Sequence, residues 1–317
     1  MVNKEFGITG IGNSIVDIIV QVEDDFLEKN NLRKGMMSLV DLDGIQSLEK
    51  KFTIETTVSG GSVANSIVCM SQNQINTAFI GKVADDDLGL AFISGLSNEG
   101  VQFGSSQKSD SEKTGRCIVM VSSDAQRTMS TYLGISQKLN ERDINENLIK
   151  NSNILYLEGY LWDLDDAQNA IKKSISIAKA NGTKIAFSVS DVFCVERFRD
   201  SFIEIIKNDA DIVFANEEEI RALTGELNFD KDISGLMDQN KIFAVTRGEK
   251  GASIISQNNS LDLESEKIGN LVDTTGAGDI FAAGFLENLI KGHEINECGR
   301  RGIELASKII QQYGARF

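Results

Sequence analysis

The chain has 317 residues, of which 41% are hydrophobic and 25% charged, and its formal net charge is −15. Domains of roughly 100–200 residues are typical, so one large or two ordinary domains are possible, and the near-average apolar content excludes a disordered or collagen-like chain. An isoelectric point near 4.6 argues against a nucleic-acid partner, which usually requires a basic patch.

Short apolar runs typical of buried strands alternate with helical patterns along most of the chain. The predicted strands cover residues 7–11, 77–80, 154–157, 184–189, 211–215 and 242–246. The predicted helices cover residues 62–72, 87–99, 165–180, 196–207, 217–223, 276–290 and 296–312. This alternation predicts an α/β fold in which helices cover both faces of a central, mostly parallel sheet.

Two segments interrupt this alternation. Residues 14–22 lead through an acidic stretch to residues 35–40, and residues 116–133 contain two strand-like runs around a polar turn. Both segments are typical of antiparallel hairpins with no helix between their strands. We therefore expect a single domain over residues 1–317 with a small β-sheet lid, formed by insertions at about 13–42 and 112–136.

The cysteines and the apolar segments indicate the cellular setting. The four cysteines, at positions 69, 117, 194 and 298, form no C-x-x-C pair, so we expect buried, reduced thiols rather than a zinc or redox motif. No apolar segment approaches the ~20 residues needed to cross a bilayer, and the first residues lack the apolar core of a signal peptide. These features predict a cytoplasmic protein with no membrane partner.

The most informative motif is Asp273-Thr-Thr-Gly-Ala-Gly-Asp279, which directly precedes an apolar helical run. The small residues Gly276, Ala277 and Gly278 leave the first backbone N–H groups of that helix unshielded, and a helix N-terminus favours an anion. Asp279 falls in the first turn, where an acidic residue can simply complement the helix dipole. The complete motif favours a functional role over this structural alternative.

This motif resembles the C-terminal signature of the ribokinase (PfkB) family of carbohydrate and nucleoside kinases. Three further motifs resemble family signatures in the family's order: Ser59-Gly60-Gly61-Ser62-Val63-Ala64-Asn65, Asn216-Glu-Glu-Glu219 and Thr246-Arg-Gly248-Glu-Lys-Gly251. The resemblance extends from Gly10-Ile-Gly-Asn13-Ser-Ile-Val-Asp17 to Gly314-Ala315. It implies a ribokinase-like fold and transfer of a phosphoryl group from ATP to an alcohol.

The resemblance implies a role for each matched residue. Asp279 would be the general base, and the anion hole for the transferred phosphoryl group would comprise Gly276, Ala277 and Gly278. The acceptor would be held by Asn13, Asp17, Gly60, Gly61 and Asn65, and ATP by Thr246, Arg247, Gly248 and Gly251. Mg²⁺ would be organised through water by Asn216 and Glu219, and backbone oxygens of Asp273 and Thr275 would serve a monovalent cation such as K⁺.

Other enzyme classes lack their motifs. No segment supplies a Walker P-loop, and the G-x-G strings beginning at Gly10 and Gly276 lack the third glycine of a dinucleotide fingerprint. The single histidine, His293, is expected at the surface, which argues against a Ser-His-Asp hydrolase. The acidic run at residues 85–87 is expected to cap the following helix rather than to bind a metal.

The sequence leaves the acceptor open. Segments 10–17 and 59–65 contain no basic residue, which disfavours a sugar phosphate, although Arg116 and Arg127 in the second lid segment keep that option. Residues 158–162 and 187–193 resemble the adenosine-kinase branch of the family, so adenosine, giving AMP, is the preferred acceptor. The aromatic candidates to flank its base, each also typical of a core position, are Tyr132, Tyr160, Trp162 and Phe193.

Two alternatives to a nucleoside kinase remain. One is a sugar kinase acting on ribose, fructose or a related sugar, and the other is a catalytically idle protein that binds a nucleoside or sugar. The intact motif around Asp279 argues against the idle protein. Both a monomer and a homodimer formed through the lid are compatible with the sequence.

Overall fold

The computed structural model describes residues 4–54, 57–105, 112–124, 126–225, 233–237, 241–256 and 259–317. The strands in these ranges are β1 (Phe6–Ile11), β2 (Ile15–Gln21), β3 (Met37–Leu39), β4 (Thr57–Gly60), β5 (Thr77–Ile80), β6 (Gln102–Phe103), β7 (Gly115–Val121), β8 (Arg127–Tyr132), β9 (Ser152–Glu158), β10 (Lys184–Ser188), β11 (Ile212–Asn216), β12 (Ile242–Thr246), β13 (Ala252–Ser256) and β14 (Asn259–Leu263). The α-helices are α1 (Asp24–Lys29), α2 (Leu42–Glu49), α3 (Ser62–Gln72), α4 (Asp87–Asn98), α5 (Glu146–Lys150), α6 (Asp165–Ala180), α7 (Val192–Asn208), α8 (Glu217–Thr224), α9 (Ala277–Lys291) and α10 (Ile295–Ile309).

The larger sheet confirms the predicted α/β fold. Among the described residues it has nine strands in the order β14-β13-β12-β11-β10-β9-β1-β5-β6, parallel except for β13 and β14 at one edge. Successive residues of a strand point to opposite faces. In β9, Leu155 and Leu157 accordingly join one apolar cluster, whereas Ile154 and Tyr156 join the cluster on the other face. The sheet is therefore buried on both sides by helices, as its continuous apolar strands predict.

A second, five-stranded sheet has the order β3-β8-β7-β2-β4 within the described chain. The strands β7 and β8 pair antiparallel, as the second interrupting segment predicts. The hairpin predicted for the first segment is wrong, because α1 lies between β2 and β3, and these strands pair in parallel with β7 and β8 respectively. The acidic stretch forms a helix because Asp24 and Asp25 suit its first turn and Lys29 its last, while Leu27 is buried beneath the sheet.

Two glycines fix how the central helices start and pack. Gly61 precedes α3 at φ +103°, and a Cβ atom there would lie 2.3 Å from the carbonyl oxygen of Asn13. Between α9 and α10, a Cβ atom on Gly284 would lie 2.6 Å from the carbonyl oxygen of Arg301. Only glycine allows the backbone to approach this closely, so α3 and α9 sit deep in the molecule.

Several smaller predictions are also resolved. Asp86 caps α4 by accepting a hydrogen bond from the Gly89 N–H at 2.9 Å, which confirms the capping role of the acidic run. All four cysteines are buried and unpaired. His293 is exposed and pairs with Glu297 at 3.4 Å. None of the helices in the described ranges combines the length and apolar character needed to span a membrane.

Candidate active site

The carboxyl ends of the parallel strands gather residues from distant parts of the sequence. Glu158 and Ser188 are register partners at the ends of β9 and β10, and Asn216 and Thr246 are partners at the ends of β11 and β12. Ligands of open α/β sheets bind outside this edge. The ends of four parallel strands, two of which carry the Asn216 and Thr246 motifs, therefore lie along one edge of the sheet.

Asp279, in the first turn of α9, is held by the start of α3. Its Oδ1 accepts a hydrogen bond from Ser62 Oγ at 2.6 Å, and its Oδ2 accepts one from Asn65 Nδ2 at 3.1 Å. Burial raises the pKa of Asp279 to about 6, against the opposing effect of these two donors. The carboxylate is thus oriented by two side chains and ionised at neutral pH, as a general base must be.

The residues before Asp279 form an open helix start. Gly276 caps α9 with φ +74°, and a Cβ atom there would lie 2.3 Å from the Ala315 Cβ atom, so a side chain would collide. Around the Cβ position of Gly278 there is no heavy atom within 4 Å. The N–H of Ala277 donates to the Thr274 carbonyl oxygen at 3.2 Å. The start of α9 therefore carries the positive end of the helix dipole, and the space around the Gly278 Cβ position is open.

Asp17 lies on β2 beside the glycine pair. A Cβ atom on Gly60 would lie 2.3 Å from Asp17 Oδ2, so the glycine makes room for the carboxylate. Burial raises the pKa of Asp17 to about 6, opposed by the charges of Arg316 and Arg127 and assisted by that of Asp279. Among the described side chains and backbone groups, no hydrogen bond to this carboxylate is formed. Asp17 is therefore a half-buried carboxylate with free acceptor capacity.

Glu158 joins the loop after β1 to the start of α3. Its Oε1 accepts hydrogen bonds from the backbone N–H and Nδ2 of Asn13 at 2.8 and 3.0 Å, and its Oε2 accepts one from the Val63 N–H at 3.0 Å. Asn13 Oδ1 in turn accepts from Ser136 Oγ at 3.0 Å. Burial raises the pKa of Glu158 to about 7. The amide of Asn13 is thus held at both ends by protein groups, with one N–H and one lone pair left over, and its contact with the acceptor stays a prediction.

Arg127 connects the small sheet to the Asp273 motif. Its Nη1 lies 3.0 Å from Asp273 Oδ2, and both side chains are only 6% exposed. Asp273 also accepts hydrogen bonds from the backbone N–H groups of Thr275 and Gly314, each at 3.0 Å. The Nε and Nη2 atoms of Arg127 are buried without a partner. A residue of β8 is thereby fixed beside the helix start at Gly276.

The segment after β12 is a tight turn. Gly251 has φ +92°, and a Cβ atom there would lie 2.0 Å from the Leu263 carbonyl oxygen, so its glycine is required by packing. Arg247 Nη1 donates to Ser253 Oγ at 2.7 Å and to Asp262 Oδ1 at 2.8 Å. The guanidinium of Arg247 is thus bound to side chains of β13 and β14. No heavy atom lies within 4 Å of the Cβ position of Gly248, so the turn is open beside Thr246.

Asn216 and Glu219 form a reciprocal capping box at the start of α8. Glu219 Oε2 and Oε1 accept from the N–H and Nδ2 of Asn216 at 2.9 and 2.7 Å, and Asn216 Oδ1 accepts from the Glu219 N–H at 2.8 Å. Burial and the nearby Asp191 and Glu218 charges raise the pKa of Glu219 to about 7, although the Asn216 N–H opposes this. Because Asn216 already donates to both Glu219 oxygens, a divalent cation would fit here through its bound waters, whereas a directly bound ion would displace the box. In the part of the chain that the structure describes, no group of three acidic, histidine or cysteine side chains could hold a metal.

The four aromatic candidates occupy different environments. Trp162 is buried in the core against Phe202, at 6.1 Å between ring centroids, so the core interpretation is correct for this residue. Phe193 is exposed under the guanidinium of Arg197. Tyr160 donates to the Ser190 carbonyl oxygen at 3.1 Å, and Tyr132 lies under Arg116 in the small sheet.

Three residues of this site were not identified from the sequence: Ser62, Glu158 and Arg316. A carboxylate ending an apolar strand was a visible signal for Glu158. The contacts of Ser62 and Arg316 join residues more than 200 positions apart in the chain, so no local pattern could reveal them.

Comparison with known proteins decides the family. The profile of the pfkB family carbohydrate kinases matches residues 37–317. The chain belongs to this family. A crystal structure of adenosine kinase from Sinorhizobium meliloti is 36% identical, with a TM-score of 0.90, over 99% of this chain and 96% of that one. The kinase is therefore a phosphotransferase that acts on an alcohol group.

Two further relatives are named for different classes of acceptor. The crystal structure of a probable sugar kinase from Rhizobium etli CFN 42 is 34% identical, with a TM-score of 0.90, over 99% of this chain and 95% of that one. Adenosine kinase 2 of Arabidopsis thaliana is 26% identical over 98% of this chain and 95% of the relative. The kinase thus shares its fold with relatives named for a nucleoside and for sugars.

Proposed function

We propose that the protein is an adenosine kinase, which transfers the γ-phosphoryl group of ATP to the 5′-hydroxyl of adenosine. The observation that carries this proposal is the half-buried Asp17 carboxylate, which accepts no hydrogen bond from the described residues and whose pKa is raised by the charge of nearby Asp279. Two vicinal hydroxyls of a ribose suit such an acceptor, one to each carboxylate oxygen. The adenosine kinase from Sinorhizobium meliloti, at 36% identity, supports the same choice.

The charges of the acceptor region favour a neutral substrate. Arg127 is paired with Asp273 at 3.0 Å, and Arg316 is the strongest favourable charge acting on Asp17. Each cation is therefore offset by a carboxylate, which leaves no net positive charge for a phosphate on the acceptor. This argues for a nucleoside or free sugar over a sugar phosphate, despite the arginines in the second lid segment.

In the proposed reaction, Asp279 takes the proton of the acceptor hydroxyl. The oxygen of that hydroxyl bonds to the γ-phosphorus of ATP, while the bond between the γ-phosphorus and the bridging oxygen breaks and ADP leaves. The helix start at Gly276–Gly278 stabilises charge on the transferred group through the backbone and the helix dipole. Mg²⁺ held through water near Asn216 and Glu219 would neutralise the ATP phosphates. The small sheet, anchored through Arg127, would exclude water from the acceptor and limit ATP hydrolysis.

The ribose 2′-hydroxyl provides the test of this acceptor. We expect 2′-deoxyadenosine to show a kcat/KM about 5- to 150-fold below that of adenosine, because one oxygen of Asp17, which the bound nucleoside would cover, then lacks its donor. In Asp17→Ala this preference should largely disappear, since the group that senses the hydroxyl is gone. Steady-state kinetics of both enzymes with both nucleosides measure the two ratios.

The matched control is Asp43→Ala, in the exposed first turn of α2, which should keep the wild-type preference. Equal kcat/KM values for the two nucleosides in the wild-type enzyme would exclude Asp17 as a ribose ligand. A preference that persists unchanged in Asp17→Ala would do the same.

A further inference from the structure

We propose that Arg316 is a positioning residue of the acceptor site, which fixes the orientation of the side-chain amide of Asn65. The inference rests on the proposed kinase reaction and concerns a residue outside the family motifs found in the sequence. Arg316 lies in the segment after α10, directly after the Gly314-Ala315 pair.

The guanidinium of Arg316 bridges two elements of the site. Its Nη1 donates to Ser59 Oγ on β4 at 2.6 Å, and its Nε donates to Asn65 Oδ1 on α3 at 3.2 Å. Because a planar guanidinium offers donors at fixed angles, it can hold both oxygens at once, which a lysine ammonium cannot do with the same geometry. Arg316 therefore ties the edge of the small sheet to the helix that carries Asn65.

This contact determines which end of the Asn65 amide faces Asp279. With Oδ1 held by Arg316, the Nδ2 group donates to Asp279 Oδ2 at 3.1 Å. Rotation of the amide by half a turn would place Nδ2 against a guanidinium that can only donate and Oδ1 against a carboxylate that can only accept. Arg316 thus acts on the catalytic base through Asn65.

The charge and burial of Arg316 point to the same site. Burial lowers the pKa of Arg316 to about 10, so it is still cationic at neutral pH, and the Asp17 charge opposes this lowering. Its Nη2 atom is buried with no hydrogen-bond partner. Buried donors are normally paired, so an unpaired Nη2 atom near an Asp17 carboxylate that accepts no hydrogen bond from the described residues is typical of a binding site and not of a structural core.

The test is a double-mutant cycle on Arg316 and Asn65, measured with the acceptor that the wild-type enzyme uses best. We expect Arg316→Ala to lower kcat/KM for the acceptor by about 10- to 150-fold, with the KM for ATP within about twofold of wild type. In the Asn65→Ala background the same change should cost less than about threefold, because the residue it positions is gone. Arg300→Ala, on the exposed face of α10, is the matched control and should behave as wild type.

Chemical rescue and a conservative variant separate positioning from folding. Guanidinium at about 10–50 mM should restore part of the lost activity of Arg316→Ala, whereas Arg316→Lys should recover less because it cannot reach Ser59 and Asn65 together. If Arg316→Ala does not fold, Arg316→Lys replaces it in the cycle.

Additive losses in the cycle, or equal rises in KM for acceptor and ATP, overturn the inference. Failure of the proposed function appears separately, as a wild-type enzyme that phosphorylates no nucleoside.

Discussion

Replacement of Asp279 by asparagine is expected to lower kcat by about 10²–10⁴-fold, with little change in the KM for ATP. Asparagine keeps the shape and polarity of the side chain but cannot take a proton from the acceptor hydroxyl. Its oxygen can accept from Asn65 Nδ2 in place of Asp279 Oδ2, while its NH₂ group donates to the Ser62 hydroxyl, which lies 2.6 Å from Asp279 Oδ1 and can also accept, so the surrounding structure should be retained. Initial-rate kinetics with adenosine and ATP measure the effect.

The control for this variant is Asp87→Asn. Asp87 occupies the first turn of α4 and is exposed, so it shares the helix-dipole role of Asp279 but not its place in the cleft. This control should retain wild-type turnover. Near-normal turnover in Asp279→Asn would remove Asp279 from its role as base.

The same assignment fixes the pH dependence of the reaction. Burial raises the pKa values of Asp279 and Asp17 to about 6, and both groups must be ionised to take a proton and to hold the acceptor. The kcat/KM for the acceptor should therefore be flat above about pH 7 and fall as pH decreases through 6. Because the two carboxylates titrate together, the plot of log kcat/KM against pH should approach a slope of two on its acidic side. That slope describes the pair of carboxylates and not either residue alone. Burial raises the pKa of Glu158 to about 7, but its two oxygens accept from Asn13 and Val63, so Asp17→Asn, which should reduce the slope toward one, identifies the contribution of the Asp279–Asp17 pair.

Removal of Arg127 is expected to have the largest effect on stability. Its ion pair with Asp273 is almost fully buried, and deletion of one partner leaves an uncompensated charge in the interior. Arg127→Ala should therefore lower the free energy of unfolding by about 3–5 kcal/mol. Equilibrium urea unfolding at neutral pH measures this change.

Two comparisons make the Arg127 result specific. Lys150→Ala removes an exposed pair with Glu146 on α5 and should cost less than about 1 kcal/mol. The double variant Arg127→Ala/Asp273→Ala should cost less than the sum of the single changes, because no isolated charge remains. A loss below 1 kcal/mol in Arg127→Ala would mean that the ion pair does not hold the small sheet against the Asp273 motif.

The parts of the fold that could be predicted are those with a local pattern. Strand β5 and helices α3 and α6 have the predicted bounds, because apolar runs and helical periodicity are properties of neighbouring residues. The first interrupting segment could not be predicted as β2-α1-β3, because six helical residues are too few for a clear period and their stability comes from Leu27 packing under the sheet.

The candidate site shows the same division. Asp279 and the glycines before it belong to one contiguous motif, so the sequence alone predicts an anion-binding helix start with Asp279 in its first turn. Arg316 is placed by contacts with Ser59 and Asn65, which only the folded chain brings together. Arg247 matches a family motif, yet its guanidinium binds Asp262. Tertiary contacts thus determine which motif side chains are already bound to other protein groups.

The most direct test of the proposed adenosine kinase is transfer of the terminal phosphate of labelled ATP to a panel of acceptors. The panel contains adenosine, inosine, ribose, fructose and fructose 6-phosphate, and the products are separated and identified. We expect AMP from adenosine at the highest kcat/KM, with ribose a poor acceptor because it lacks the base whose binding energy positions the hydroxyl. More efficient phosphorylation of ribose or fructose than of adenosine would contradict the nucleoside assignment and identify a sugar kinase.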